Sequence, residues 1–197
     1  LTRNLNFESR ITTGGVQLRY NFLQLLNPKR VVEPFINIGF ESVEFLTKTD
    51  LRDASGKPYH YWADGTIRDL AENVPNAGDA VLLQRDYSYE SDVRESDLDG
   101  FGKYLERTWA IPVGIGARMD IGHGFDFRMG TTMYFTRTDL VDGVTEASLN
   151  ERAGTAGNDR FLFSSFSIGY TVPMKKAKPA AVPASGGLPR LLLVMTV

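Results

Sequence analysis

From Trp109 to Ile121, and again from Phe125 to Phe135, every odd position is apolar or Thr and nearly every even one is small or polar. This period of two is the signature of a β-strand with two different faces. In the first segment Trp109, Ile111, Val113, Ile115, Ala117, Met119 and Ile121 share one face, opposite Ala110, Pro112, Gly114, Gly116, Arg118 and Asp120. In the second, Phe125, Phe127, Met129, Thr131, Met133 and Phe135 oppose Asp126, Arg128, Gly130, Thr132 and Tyr134, with only Gly122-His123-Gly124 between the strands. Both outrun the usual five or six residues of a soluble strand and reach the roughly 9–11 needed to cross a bilayer. An antiparallel, up-and-down transmembrane β-barrel is the leading expectation.

Charge placement sharpens it. Arg118, Asp120, Asp126 and Arg128 fall inside the strands, on the polar face. In a membrane barrel the apolar face meets lipid, while charged and glycine-rich positions line a narrow interior where opposite charges pair. Val113, Ile115, Met129 and Met133 are accordingly expected to face lipid. Only 42% of the residues are hydrophobic and no apolar run of 18 exists, which excludes helical spans but leaves barrel spans open, because half of a barrel strand is polar. A net charge of −2 argues against nucleic acid as a partner. The absence of cysteine removes disulfides and thiolate metal sites.

Three further segments alternate: Val16 to Phe22, Val32 to Phe40, and Leu162 to Val172. Their polar faces extend the interior inventory to Arg19, Arg118 and Arg128 against Glu33, Glu41, Asp120 and Asp126, a set expected to form a paired polar lumen. Aromatics near strand ends, among them Tyr20, Phe22, Phe40, Trp109, Phe125, Phe135 and Tyr170, fit interfacial girdles. Connections alternate short and long: Leu23 to Arg30, then Lys48 to Arg107, then Gly-His-Gly, then Asp139 to Arg160. Outer-membrane barrels have short periplasmic turns and long outer loops, which makes the C-terminus periplasmic and starts the first of these five strands outside the cell. Three more strands upstream would complete eight, so the chain is expected to be part of an eight-stranded barrel, the barrel covering residues 1–172.

The long segment 48–107 is read as a folded extracellular cap. Between Lys48 and Glu106 it carries 13 Asp and Glu against 7 Lys and Arg, together with Tyr59, Tyr61, Trp62, Tyr87 and Tyr89, and so many aromatics do not belong to a disordered tail. Thr66 to Asn73 reads as a short helix, a second helix is expected at Ala80 to Gln84, and Arg85 to Val93 reads as a strand extension. The tyrosines and Trp62 are candidates for ligand stacking, against the plainer reading that they form the core of the cap. Asp50 and Asp53 before Ser55-Gly56, and Asp97 and Asp99 before Gly100, are oxygen-rich turns of the kind calcium favours. Neither has the full spacing of a helix-flanked calcium loop, and the preferred reading is Asx turns on a solvated face, with no cofactor. No catalysis is expected either. His60 and His123 are the only histidines, and no nucleophile elbow accompanies them.

The pattern Ala110-Ile-Pro-Val-Gly-Ile-Gly-Ala-Arg118, a short turn, Phe125-Asp-Phe-Arg-Met-Gly-Thr131, Phe135-Thr-Arg-Thr-Asp-Leu-Val-Asp142, then Asn158-Asp-Arg-Phe161 and Ile168-Gly-Tyr170 resembles the C-terminal half of Bacteroidota-type outer-membrane β-barrel domains of the OmpA-like superfamily. The resemblance is specific from Trp109 onward. It implies a barrel in the bacterial outer membrane, in contact with its lipid. Relatives include barrels tied to peptidoglycan by a further periplasmic domain and barrels associated with type IX secretion and gliding complexes, so those are the partners implied. Residues 173–197 open on a Pro/Ala/Lys-rich stretch that reads as a periplasmic linker, and the closing Leu191 to Val197 receives no assignment. The expected role is structural or anchoring. Its alternatives are a surface receptor or adhesin acting through the cap, and a lipid-modifying barrel enzyme in which His60, a serine and a carboxylate converge.

Overall fold

A computed structural model describes residues 5–22, 31–149 and 152–172, together with the backbone of 191–196. The short connection expected at 23–30 and the linker expected at 173–190 lie outside the described residues. Among the described residues the elements run β1 (Glu8–Asn21), β2 (Val32–Thr49), β3 (His60–Tyr61), β4 (Ile67–Arg68), a 3-10 turn (Ala77–Asp79), β5 (Ser91–Asp92), α1 (Val93–Ser96), β6 (Arg107–Gly122), β7 (Phe125–Thr136), β8 (Arg160–Tyr170) and β9 (Leu191–Thr196). Helix is confined to one four-residue turn. The chain is a mostly antiparallel β protein, as its alternation predicts.

It divides into two compact units. A sheet unit holds Thr13–Val43, Trp109–Thr136 and Arg160–Val197; a loop unit holds Leu1–Thr12, Glu44–Thr108 and Arg137–Asp159. In the sheet unit the strand order is β8-β7-β6-β2-β1-β9. The β6–β7 register runs from Ala110 opposite Thr136 to Gly122 opposite Phe125, with a bulge between Asp120 and Gly122. His123 and Gly124 link the strands with φ of 55° and 83°, the positive values at both central positions that let a two-residue hairpin follow the twist of its strands. β8 pairs with β7 from Tyr170 opposite Phe125 to Arg160 opposite Phe135. The five strands read from the sequence are all present.

The sheet curls, because inner-face residues of β1 and of β8 line one cavity of about 340 Å³. Phe35 shows how the curl is filled. The glycines Gly116 and Gly130 stand directly opposite each other on β6 and β7, and the Phe35 ring lies over both, so a methyl group at Gly116 would collide with it. An aromatic ring laid across paired glycines restores the packing that two missing side chains give up.

The C-terminal segment adds a strand. Leu191–Thr196, without an assignment from the sequence, pairs antiparallel with Gly15–Tyr20, so the edge of β1 around Val16 carries another strand of the same chain. A largely apolar hexapeptide next to an unpaired ladder satisfies backbone groups that would otherwise stay open. Among the described residues β8 has β7 as its one strand neighbour.

The loop unit corrects the helix expectations. Thr66–Asn73 is not helical: Tyr61 pairs with Ile67 and His60 with Arg68 in a β-hairpin. Its turn is held by Asp64, whose Oδ1 accepts from the Thr66 amide at 2.8 Å and the Thr66 hydroxyl at 2.6 Å, while Gly65 takes a φ of 84°. Asp-Gly between β-prone residues is a hairpin signal, and here it outweighs the weak helical spacing that follows. Residues 80–84 are extended as well, bonded to this hairpin through Val81 O with Asp69 N and Leu83 N with Ile67 O. Of the strand expected over 85–93, only Ser91–Asp92 pairs, with Lys48–Thr49. Asp92 then caps α1 through its bond from the Glu95 amide.

The long connection 137–159 belongs to this unit and is tied to segment 48–107. Arg152 Nε lies 3.1 Å from both carboxylate oxygens of Asp99, and Gly143, at φ 73°, leaves room for Val93 where a Cβ would meet it at 2.7 Å. The segment expected to fold by itself at 48–107 is therefore part of a larger unit, which also holds the second connection, the N-terminal part of β1 and the C-terminal part of β2.

Candidate functional site

The inner face of the sheet unit carries the densest polar chemistry. Gln17, Asn37, Glu41 and Asp126 are all buried there. Four of the seven residues expected to form a lumen network meet as ions: Arg118 reaches Glu33 at 3.3 Å and Asp126 at 3.4 Å, and Arg128 reaches Asp126 at 2.5 Å. The register explains the sharing. Arg118 stands directly opposite Arg128, and Asp120 opposite Asp126, so like charges face each other across the ladder, and Asp126 attracts Arg118 along the diagonal and Arg128 along its own strand. Asp126, only 2% exposed, is the hinge of that arrangement.

The other three depart from expectation. Asp120 is exposed and accepts from the Gly122 amide at 2.8 Å, because the bulge turns it into a cap for the tight turn. Glu41 is fully buried and joins a neutral-donor network instead: Gln17 Nε2 donates to it at 2.6 Å, Asn37 Nδ2 donates to Gln17 Oε1 at 2.7 Å, and the Tyr134 hydroxyl bonds to the same group. Arg19 forms no ion pair among the described residues; its guanidinium lies 4.2 Å from the Phe35 ring centre. Gln17, Asn37, Phe35 and Tyr134 were not singled out from the sequence. Their even or odd position in the alternation put them on the inner face, but nothing local distinguishes a networked amide from a solvated one.

The opposite face is apolar and open. Val113, Ile115 and Met129 are 43%, 63% and 47% exposed, and Met133 is half-buried. Phe40 and Trp109 meet at 5.2 Å near one end of the face, and Phe125 and Tyr170 at 4.7 Å near the other. Between these pairs runs a groove lined by Ile36, Ile115, Met129 and Phe166.

In the loop unit the expected aromatic set splits. Tyr59 is core, 6% exposed, and its hydroxyl accepts from the Asp86 amide. Trp62 donates from Nε1 to Leu70 O at 2.9 Å with Arg68 stacked 3.8 Å from its ring. Tyr61 and Tyr87 are exposed and flank Arg85, which donates to the Tyr61 hydroxyl at 2.7 Å. Tyr87 and Tyr89 hold φ of 57° and 47°, a conformation bulky residues rarely adopt.

The four aspartates considered for calcium are each engaged separately. Asp50 is fully buried, accepts from the Tyr87 amide at 2.8 Å, and has its carboxyl pushed up by burial. Asp53 accepts from the Ser55 amide and hydroxyl and from the Lys57 amide. Asp97 accepts from the Gly102 amide, and Asp99 is consumed by Arg152 and the Leu149 amide. Among the described residues no three acidic or histidine side chains converge as a metal site. Ser55 Oγ bonds to Asp53, and Ser91 Oγ to Glu90, while His60 sits in the β3–β4 hairpin and His123 in the tight turn.

The connection 137–159 holds a second acidic group. Asp159 Oδ2 accepts from the Val141 amide at 2.7 Å, yet burial and the neighbouring Asp142 raise its carboxyl to about 6. Asp139 is raised for the same two reasons. No helix among the described residues is long and apolar enough to cross a membrane, which says nothing about strands. No protein-family model, curated protein or solved structure matches this chain.

Proposed function

We propose that the sheet unit is the wall of a bacterial outer-membrane β-barrel and that the protein acts there as a structural or anchoring element. The observation that carries this reading is inversion: the concave face buries Gln17, Asn37, Glu41 and Asp126, while the convex face exposes Ile36, Ile38, Phe40, Val113, Ile115, Phe166 and Ile168. A water-soluble sheet would hide the second set and expose the first. Dimensions agree. From Phe125 to Phe135, ten intervals at about 3.4 Å give roughly 34 Å along the strand. A tilt of about 40° projects this to about 26 Å, the height of a barrel's apolar band.

The chemistry of β2 supports the same boundary. Up to Phe40 its outward residues are apolar; beyond it Glu44 points out and forms an exposed ion pair with Arg107, while Val43 and Phe45 are buried inward. That is the ordinary polarity of a sheet in water, so the strand leaves the hydrocarbon near Phe40 and Trp109. Peptidoglycan, through a further periplasmic domain, and the proteins of a secretion complex are the partners this role implies, with the C-terminal end of β8 on the periplasmic side. A receptor role for the loop unit is the second reading, favoured by the exposed Tyr61–Arg85–Tyr87 group with its left-handed tyrosines.

Depth-dependent quenching by brominated lipids tests the main reading in variants that keep one tryptophan each, Trp62→Phe and Trp109→Phe. Trp109 emission should be quenched most strongly by bromines near the headgroup end of the chains, and Trp62 should be unaffected. Equal insensitivity of both would remove the membrane assignment.

A further inference from the structure

The geometry points to a binding site for a small, soluble phosphate-type oxyanion in the cavity on the concave face of the sheet unit, held by Arg19 and Arg128. The cavity, about 340 Å³, is lined by Arg19, Arg128, Gln17, Asn37, Ser165 and Ser167, and this volume is at the small end of ordinary ligand pockets. Arg19 has no acidic partner among the described residues. Its Nε is buried with no hydrogen-bond partner among the described residues, and the charge that acts on it there is that of another cation, Arg128. Stacking on Phe35 holds the guanidinium plane in place but leaves its donors unspent.

Among the described residues no acid of the inner face answers it. Glu33 is used by Arg118, Asp126 by Arg118 and Arg128, and Glu41 by the Gln17 amide and the Tyr134 hydroxyl. The segments 23–30 and 173–190 contain lysine and arginine but no Asp or Glu. A fixed guanidinium beside a second one, shielded on one side by an aromatic ring, attracts a counter-ion from solution. Its planar fork matches an oxyanion with two acceptor edges. The hydroxyls of Ser165 and Ser167, projecting from β8 into the same space, supply uncharged donors to the remaining oxygens. Because the cavity opens on the polar face, a free ion can enter it, whereas a lipid headgroup would have to bring its chains across a charged surface. The site stands on the inner face alone and is independent of what covers the outer one.

Calorimetric titration of the 197-residue chain, refolded in an uncharged detergent at low ionic strength, with inorganic phosphate tests the assignment. Saturable binding is expected, with acetate at least tenfold weaker. Arg19→Gln should weaken phosphate at least tenfold. Arg19→Lys, which keeps the charge and loses the fork, should fall between and serves if the glutamine variant does not fold. Arg107→Gln, remote from the cavity, should bind like the unsubstituted protein. The proposal is overturned by non-saturating heats, by Arg19→Gln or Arg19→Lys binding as tightly as the unsubstituted chain, by equal loss in Arg107→Gln, or by binding of phosphatidylglycerol micelles without binding of free phosphate.

Discussion

Asp126 decides whether two arginines can stand opposite each other. Arg118 and Arg128 are register partners, and among the described residues the one carboxylate paired with both, Asp126, is 2% exposed. Removing it leaves a like-charge pair on a half-buried face. Both arginines are partly exposed, at 38% and 44% of their side chains, so the cost is that of a lost charged hydrogen bond rather than of a fully buried ion. Asp126→Asn should destabilise by about 1–3 kcal/mol. Asp126→Asn combined with Arg128→Gln should cost less than the two single changes added together, because the double variant no longer forces two cations together. Urea unfolding in detergent measures the cycle; strictly additive losses would show that Asp126 does not couple to Arg128.

At the scale of elements, the 137–159 connection is the segment whose order should respond to pH. Asp159 binds a proton more tightly in the folded chain, near pH 6, than an ordinary carboxyl does, because it is half-buried beside Asp142 and Asp139. A group raised in this way favours the folded form while it keeps its proton. Its stabilising contribution is therefore lost as pH rises from the ordinary carboxyl range through about 6. Amide exchange at Val141, whose N–H is bonded to Asp159, should be slower at pH 5 than at pH 7.5 after correction for intrinsic rates. Asp159→Asn should flatten that difference. Protection that instead rises between those pH values would contradict the assignment to Asp159. The short elements around this segment were the least legible in the sequence. The hairpin at Asp64-Gly65 and the cap at Asp92 each depend on one side chain closing one turn, and a window of weak helical spacing at 66–73 masks the first of them.

At the scale of the whole molecule, β9 is the element with the widest consequence. It covers Gly15–Tyr20 of β1 and is, with β8, one of the two edge strands of the described sheet. Deleting residues 191–197 should move the open edge from the six-residue β9 to the 14-residue β1, and the shortened chain should form larger assemblies in detergent, since a longer open edge recruits other strands more readily. Sedimentation and β1 amide exchange check this. An unchanged monomer with unchanged protection of residues 15–20 would mean that β9 does not hold that edge.

The alternation in 109–121 and 125–135, with that of the three further segments at 16–22, 32–40 and 162–172, was enough to mark five long strands and to sort their residues into two faces, because side-chain direction in a strand follows from backbone geometry alone. It also put Arg118, Asp126, Arg128 and Glu33 on one face. Which charges pair was decided only by register: a slip of two residues would keep every face and exchange every partner, so the like-charge opposition of Arg118 and Arg128, and the solitary Arg19, had no local signal. The same holds for β9 and for the joining of 48–107 to 137–159 through Asp99 and Arg152. These are contacts between residues far apart in the chain, and their formation rests on the folded arrangement of everything between them.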